Sequence, residues 1–434
     1  MKRLLAFVTL LLAACTTTHP LPHRARELRG LWVTTVNNGD WPSRRDLTPE
    51  AQRQELIAIF DRAASLHLNA IFLQVRPKAD AVYASALEPW SEFLTGTMGK
   101  APEPFYDPLS FAITEAHARG MELHAWFNPF RAHHPAAASP ESAAQVVRLH
   151  PEAVLDYGKY VWLDPGDPAV RTEVLAVIAD VARRYDIDGV HLDDYFYPYQ
   201  EKDPSGHIID FPDQPTWQRY QTGGGRLTRN DWRRDNINRF VRDLYRMVKE
   251  IRPGVEVGIS PFGIWRPHHP AQIEGLDSYE KIYADSRLWL QKGWVDYLAP
   301  QLYWPIAKRE QSFPILLRWW SEQDVRGRGI VAGMSINRVA TGRAASVPPE
   351  EIAQQLALVK RERRAVGFIL FSARTLMENR GGINEVIGPI IGQSDDTHRC
   401  HQRHGSISRR SFIRFIRGCE EIRSNPLNPL PPSS

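Results

Sequence analysis

From Arg29 onward, short apolar runs alternate with longer stretches whose apolar residues recur at helical spacing. Runs at 31–36, 69–76, 121–127, 188–198, 255–260, 295–303, 329–335 and 367–372 have the length and burial character of strands. The stretches between them open on helix-start signals. Thr48-Pro49-Glu50, Asp107-Pro108, Asp167-Pro168 and Pro348-Pro349-Glu350 each place a Pro in a first turn, three of them behind a capping oxygen. Leu56, Ile59, Phe60, Ala63 and Ala64 give the first helix one apolar face. Further helices are predicted up to Gly120, over 167–185, 230–251 and 278–292, from Pro349 to Arg364, and over 383–391. Eight strand–helix units with no hairpin turns between them predict an α/β fold, a (β/α)8 TIM-type barrel. The long loops fall after strand three (129–166), strand four (198–229) and strand five (261–277), all on the C-terminal face. A doubly wound open sheet is the alternative. It calls for a Gly-rich phosphate turn after strand one, which Val36-Asn37-Asn38-Gly39-Asp40 matches poorly.

The fourth strand is the unusual one. Asp188-Gly189-Val190-His191-Leu192-Asp193-Asp194-Tyr195-Phe196-Tyr197-Pro198 runs from an apolar strand into two carboxylates and three rings before Pro198 stops it. Strand side chains alternate, so His191, Asp193 and Tyr195 share a face that Asp194 does not. Charge at the end of a buried strand is costly and needs a use. In a parallel barrel that end carries the chemistry. The same reading of the other strand ends collects Gln74, Arg76, Asp80, His124, Trp126, Asn128, Arg131, Ser260, Phe262, Gln301, Tyr303 and Trp304.

Rings with apolar faces, mixed with amides and guanidinium groups, suit a carbohydrate. Arg76, Trp126, Asn128, His191, Tyr195, Gln301, Tyr303 and Trp304 are the candidate sugar-binding residues, with Trp32, Trp41, Trp90 and Tyr197 extending the platform. Glycoside hydrolysis uses one ionised and one protonated carboxyl. Asp193, inward and beside His191, is the candidate nucleophile or base. Asp194 and Asp80 are the candidate acids, ahead of Glu88 and Glu201. Ser260 and Ser335 lack a Gly-x-Ser-x-Gly elbow, and Gly223-Gly224-Gly225 is followed by Arg226 instead of a P-loop Lys. The pairs His133-His134 and His268-His269 sit in Pro-rich loops and read as solvated. No metal or cofactor is indicated.

Charge changes the picture little. The net +4 comes from Lys2-Arg3 and from a C-terminal tail with seven Arg and four acids from Gln393 onward. The body between is close to neutral, so the pI is no argument for nucleic acid. Lys2-Arg3 followed by apolar residues 4–12 reads as a signal peptide over 1–14, too short to span a bilayer. Leu12-Ala13-Ala14-Cys15 resembles a lipobox, which makes Cys15 a lipidation site and 15–27 a lipidated tether. The barrel domain is then 28–392, and 393–434 an Arg-rich, ill-ordered tail. Cys400 and Cys419 in that tail either pair in an oxidising compartment or stay as free thiols.

Five motifs carry a family resemblance: Arg29-Gly30-Leu31-Trp32-Val33, Gln74-Val75-Arg76-Pro77-Lys78-Ala79-Asp80-Ala81, Trp126-Phe127-Asn128-Pro129, the 188–198 stretch, and Ala299-Pro300-Gln301-Leu302-Tyr303-Trp304. They resemble the bacterial glycosyl-hydrolase-like family 10 lipoproteins over about 27–392. The resemblance implies a TIM-type barrel, a lipid anchor and hydrolysis of peptidoglycan glycan strands, in particular strands stripped of peptides. With Thr16 after Cys15, Gram-negative sorting rules imply the outer membrane, facing the periplasm. Gly189-Val190-His191-Leu192-Asp193 is also similar to the fourth-strand motif of α-amylase-type barrels, whose last Asp is the nucleophile. This chain has His191 where they carry Arg, and no acid after strand five. Tyr195 stands where chitinase-type barrels carry their catalytic Glu. A non-catalytic glycan-binding barrel and an α-glucan or other polysaccharide hydrolase of the same fold are the competing expectations.

Overall fold

The computed structural model describes residues 26–139, 144–343 and 345–393. The leader, Cys15, all but the end of the tether, and the Arg-rich tail with Cys400 and Cys419 lie outside the described residues. Among the described residues eleven strands occur in chain order: β1 (Leu28–Val33), β2 (Ala70–Arg76), β3 (Glu122–Phe127), β4 (Arg131–His133), β5 (Val154–Tyr157), β6 (Tyr160–Leu163), β7 (Gly189–Leu192), β8 (Glu256–Ile259), β9 (Tyr297–Leu298), β10 (Ile330–Ser335) and β11 (Ala365–Phe371). Eight of them close a parallel barrel in the order β1-β11-β10-β9-β8-β7-β3-β2. This is the (β/α)8 TIM-type fold. Among the described residues no helix is long and apolar enough to cross a membrane.

The helices form where the start signals lie. Thr48 caps Pro49–Ser65, Asp107 caps Pro108–Ala118 and Asp167 caps Pro168–Arg184, each side chain accepting a first-turn N–H. Their buried stripes, such as Leu56, Ile59, Phe60 and Ala63, pack on the outward faces of the strands, where Ile71, Leu73, Val75, Leu123 and Ala125 meet them. A second cluster fills the inside of the ring: Leu28, Trp32, Ala70, Phe72, Trp126, Tyr297, Ala299, Val331 and Ile369. These are alternate residues on their strands, as the period of two requires.

The interior is packed by rings set against glycines. Gly189 on β7 lies where a Cβ would come within 2.0 Å of the His124 Nδ1. Gly258 on β8 lies where a Cβ would come within 1.8 Å of the Tyr297 Cζ. Each missing side chain leaves room for a ring from a neighbouring strand, and the barrel is filled, not hollow.

Five expectations change. β1 begins at Leu28 and ends at Val33, three residues early, because its ladder to β11 and β2 starts at the first inward apolar residue. The 295–303 run is regular only at β9, because Pro300 has no N–H to give the ladder. The loop after β3 contains a hairpin, with β4, β6 and β5 forming a separate antiparallel sheet. It turns at Gly158, whose φ of +58° is readily adopted by glycine. The loop after β7 carries a helix, Gln214–Thr222, and the 278–292 helix breaks into Ser278–Lys281 and Ser286–Lys292. The long loops are therefore built structures over the C-terminal face.

Candidate active site

β7 ends at Leu192, so Asp193 and Asp194 stand just past the ladder at the C-terminal rim. Asp193 continues the inward parity of Gly189 and His191. Its Oδ2 accepts from Asn128 Nδ2 at 2.5 Å and its Oδ1 from the Tyr195 amide at 3.2 Å. Asn128 is itself fixed: its Oδ1 accepts from Gln74 Nε2 at 2.5 Å. Gln74 in turn accepts through Oε1 from the Thr35 and Val36 amides, both at 2.9 Å. A relay of amides thus runs from the end of β1 through β2 and β3 to the carboxyl on β7. Asp194 leans to the opposite neighbour, toward Tyr199 and Gln301. It accepts from the Tyr199 hydroxyl and from the Gln301 amide, and Gln301 also donates to the Ser260 carbonyl at 2.9 Å.

Both carboxyls are almost fully enclosed, at 4% and 2% exposure. Burial, then the charge of Asp194, pushes Asp193 up to about 7, against the pull of Arg131 and its two donors. Asp194 is also raised by burial, and the Tyr199 and Gln301 donors hold it back. The pair therefore retains one proton into the neutral range. Arg131 stands beside both. Its guanidinium lies 4.7 Å from the Tyr195 ring centre and donates to the Pro77 carbonyl.

Half-buried rings frame the pair. Tyr195 contacts Tyr199 at 5.5 Å, Tyr199 contacts Phe262 at 6.3 Å, and Phe262 contacts Trp304 at 5.6 Å between ring centres. Tyr303 stacks on Phe371 at 5.9 Å. The aspartates act electrostatically on Tyr195, Tyr199 and Tyr303, raising each phenol after burial has done most of the work. Asn128, Tyr195, Gln301, Tyr303 and Trp304 thus come together with Asp193 and Asp194. Tyr199, Phe262 and Phe371 were not in the predicted binding set. Tyr199 lies five residues past Asp194 on a loop whose turn back to the site has no periodic signature.

Five candidates are placed elsewhere. Arg76 is wholly buried, with its guanidinium on Glu88 at 2.5–2.9 Å and on the Asn128 and Pro129 carbonyls at 2.6 and 2.9 Å. It shapes the backbone behind Asn128 and has no face left for a sugar. Asp80 is enclosed in the same loop, its Oδ1 accepting from the Lys78 amide, next to the Lys78–Glu92 ion pair. The groups that act on it are those of its own loop and strand, Lys78, Ser91 and Arg76. His191 is fully buried beneath it. The Trp32 indole donates to its Nε2 at 3.2 Å, leaving Nδ1–H to donate to the Tyr297 hydroxyl at 3.0 Å. The Tyr297 hydroxyl in turn donates to His124 Nδ1 at 3.1 Å, and His124 Nε2–H faces Glu122. Burial holds His191 neutral. Trp126, one step below Asn128, is 6% exposed, with its indole N–H lacking a partner among the described residues. Trp41 and Tyr197 are core side chains, not platform.

The described residues contain one set of three groups able to hold a metal: Glu122, His124 and Glu256, with ligand atoms within 4.8 Å of one another. It lies at the opposite, N-terminal end of the barrel from the aspartates.

Residues 27–347 match the model of a family described as glycosyl hydrolase-like 10. The chain is 39% identical over 370 residues to the glycosyl hydrolase YngK of Bacillus subtilis, covering 83% of this chain and 71% of that protein. It is 34% identical over 354 residues to the glycosyl hydrolase DigH of Escherichia coli K12, covering 74% and 78%. Among solved structures, the PgaB (BpsB) glycoside hydrolase domain from Bordetella bronchiseptica superposes with a TM-score of 0.53 at 14% identity, over 85% of this chain and all of that one. That likeness is one of fold. The chain belongs to the glycosyl hydrolase-like 10 family.

Proposed function

We propose that the protein hydrolyses the glycan strands of peptidoglycan, preferring strands freed of peptides, from a lipid anchor at Cys15 in the outer membrane facing the periplasm. The observation that carries the hydrolase reading is the Asp193–Asp194 pair. It is buried and walled by rings at the C-terminal end of the fourth barrel strand, and burial holds both carboxyls above the ordinary carboxylate range. The sugar stacks on Tyr195, Tyr303 and Trp304, with Asn128 and Gln301 holding the carboxyls in place. Asp193 protonates the departing oxygen, and general acid catalysis of this kind contributes about 10²- to 10⁴-fold. The family motifs support the peptidoglycan substrate, and Leu12-Ala13-Ala14-Cys15 supports the anchor.

The test incubates the mature protein and Asp193→Asn with intact peptidoglycan, peptide-free peptidoglycan and starch. Turnover of peptide-free strands by the parent alone is the expected result. Binding of both proteins without products marks a recruitment module, and turnover of starch alone marks an α-glucan hydrolase. Labelling cells with a tagged fatty acid, with Cys15→Ser as control, tests the anchor.

A further inference from the structure

The two aspartates are neighbours on one strand, and this limits how they act on a glycosidic bond. Two carboxyls that displace a leaving group directly flank the bond, one on each side. In this barrel β11 stands across the ring from β7. The acid at that rim is Asp40, and it is spent. Its Oδ1 accepts from Ser372 Oγ and the Arg374 amide, both at 2.7 Å, and its Oδ2 from the Thr34 amide at 2.8 Å. The remaining barrel strands run out at Thr34, Arg76, Asn128, Ser260, Gln301 and Ser335, none an acid. Glu88, on the loop after β2, is bound to Arg76. Among the described residues the site offers two carboxyls side by side with aromatic rings around them, while Asp40, Glu88 and Asp80 are bonded elsewhere.

We propose, resting on the hydrolase reading above, that the nucleophile is supplied by the substrate: the carbonyl oxygen of a 2-acetamido group on the sugar whose bond is cut. The substrate class is therefore a glycan of 2-acetamido-2-deoxy sugars. Asp193, leaning toward β3 on Asn128, faces the leaving oxygen. Asp194, leaning toward β9 on Gln301 and Tyr199, faces the acetamido N–H. In the first step the acetamido oxygen bonds to C1 while the C1–O bond to the leaving sugar breaks. The electron pair of that bond takes the Asp193 proton. The amide N–H hydrogen-bonds to the Asp194 carboxylate, which stabilises the cyclic oxazolinium that forms. In the second step a water oxygen bonds to C1, its proton returns to Asp193, and the C1–O bond of the ring breaks to restore the acetamido group. C1 is displaced twice and its configuration is retained.

The experiment uses peptide-free glycan strands in three forms: native N-acetyl, chemically N-deacetylated, and the deacetylated strands re-acylated with trifluoroacetyl groups. New reducing ends are counted, cosedimentation measures binding, and NMR at early times reads the anomer first released. The native strands are expected to turn over with retention. The trifluoroacetyl strands, whose carbonyl is a poor nucleophile, are expected to bind normally and turn over about 10²-fold more slowly. Re-acetylating the amines restores the rate. Trifluoroacetyl strands cut at the native rate, or an inverted product, overturn substrate assistance and leave the hydrolase reading standing. No turnover of any form, with binding intact, overturns the hydrolase reading itself and this proposal with it.

Discussion

Replacing Asp193 by Asn separates what the site needs from what the fold needs. The two side chains have the same shape, so the barrel is kept and the titrating proton is lost. A carboxyl that titrates near 3.9 in an unfolded chain and at about 7 here withholds about 4 kcal/mol of folding free energy above pH 7. The sign follows from the raised pKa. Below about pH 4 both states carry the proton and nothing is lost. Between there and pH 7 the folded chain keeps a proton that the unfolded chain releases, so stability declines as pH rises and then levels off. Asn escapes that cost, but it has one acceptor where Asp193 has two. It keeps the bond from Asn128 and gives up the one from the Tyr195 amide, a loss of about 1 kcal/mol. The variant should therefore be less stable than the parent at pH 4 by about 1 kcal/mol and more stable at pH 8 by about 3 kcal/mol. Urea unfolding at the two pH values measures the crossing. In the same preparations turnover of peptide-free strands should fall about 10²- to 10⁴-fold, and the parent's kcat/KM should fall as pH rises through about 7. A stability difference of one sign at both pH values refutes the buried-proton argument, and an active variant refutes the acid assignment.

Other substitutions probe the surroundings. Arg131→Met removes the cation that favours both carboxylates, so the alkaline limb of the pH profile should move up by roughly one pH unit; an unmoved limb removes Arg131 from the site. Arg76→Met leaves Glu88 buried without its partner and should cost about 3–5 kcal/mol in denaturant unfolding, with Arg76→Met and Glu88→Met together recovering most of it. If instead the single variant is stable and only KM rises, Arg76 touches the sugar after all. Gly258→Ala drives a methyl into the Tyr297 ring and should lower stability by roughly 1–3 kcal/mol; an unchanged melting temperature shows that the interior is looser than described. Tyr199→Phe deletes a donor to Asp194, so its kcat should drop while cosedimentation with glycan strands is unchanged.

The hydrophobic pattern by itself determined the barrel. Eight buried strands separated by capped helices leave few other ways to cover both faces of a parallel sheet. It also determined that Asp193 looks inward, because parity along a strand is local geometry. Asn128 and Gln301 were legible for the same reason, each sitting at the end of its strand. What only the tertiary structure decided are the properties that depend on which strands become neighbours. Arg76 shares the inward parity of Gln74, yet Glu88 twelve residues on closes over it and takes its charge. His191 shares parity with Asp193, yet the Trp32 indole and the Tyr297 hydroxyl seal it into the core. Asp80 follows its strand by four residues where Asp193 follows by one, and it is held in its own loop beside the Lys78–Glu92 ion pair. The spent state of Asp40 arises from bonds to residues more than 330 positions away. Periodicity tells which side of a strand a residue occupies. Whether the partner across the ring is a sugar, a salt-bridge mate or a ring is set by closure of the barrel, which joins chain ends that no local pattern relates.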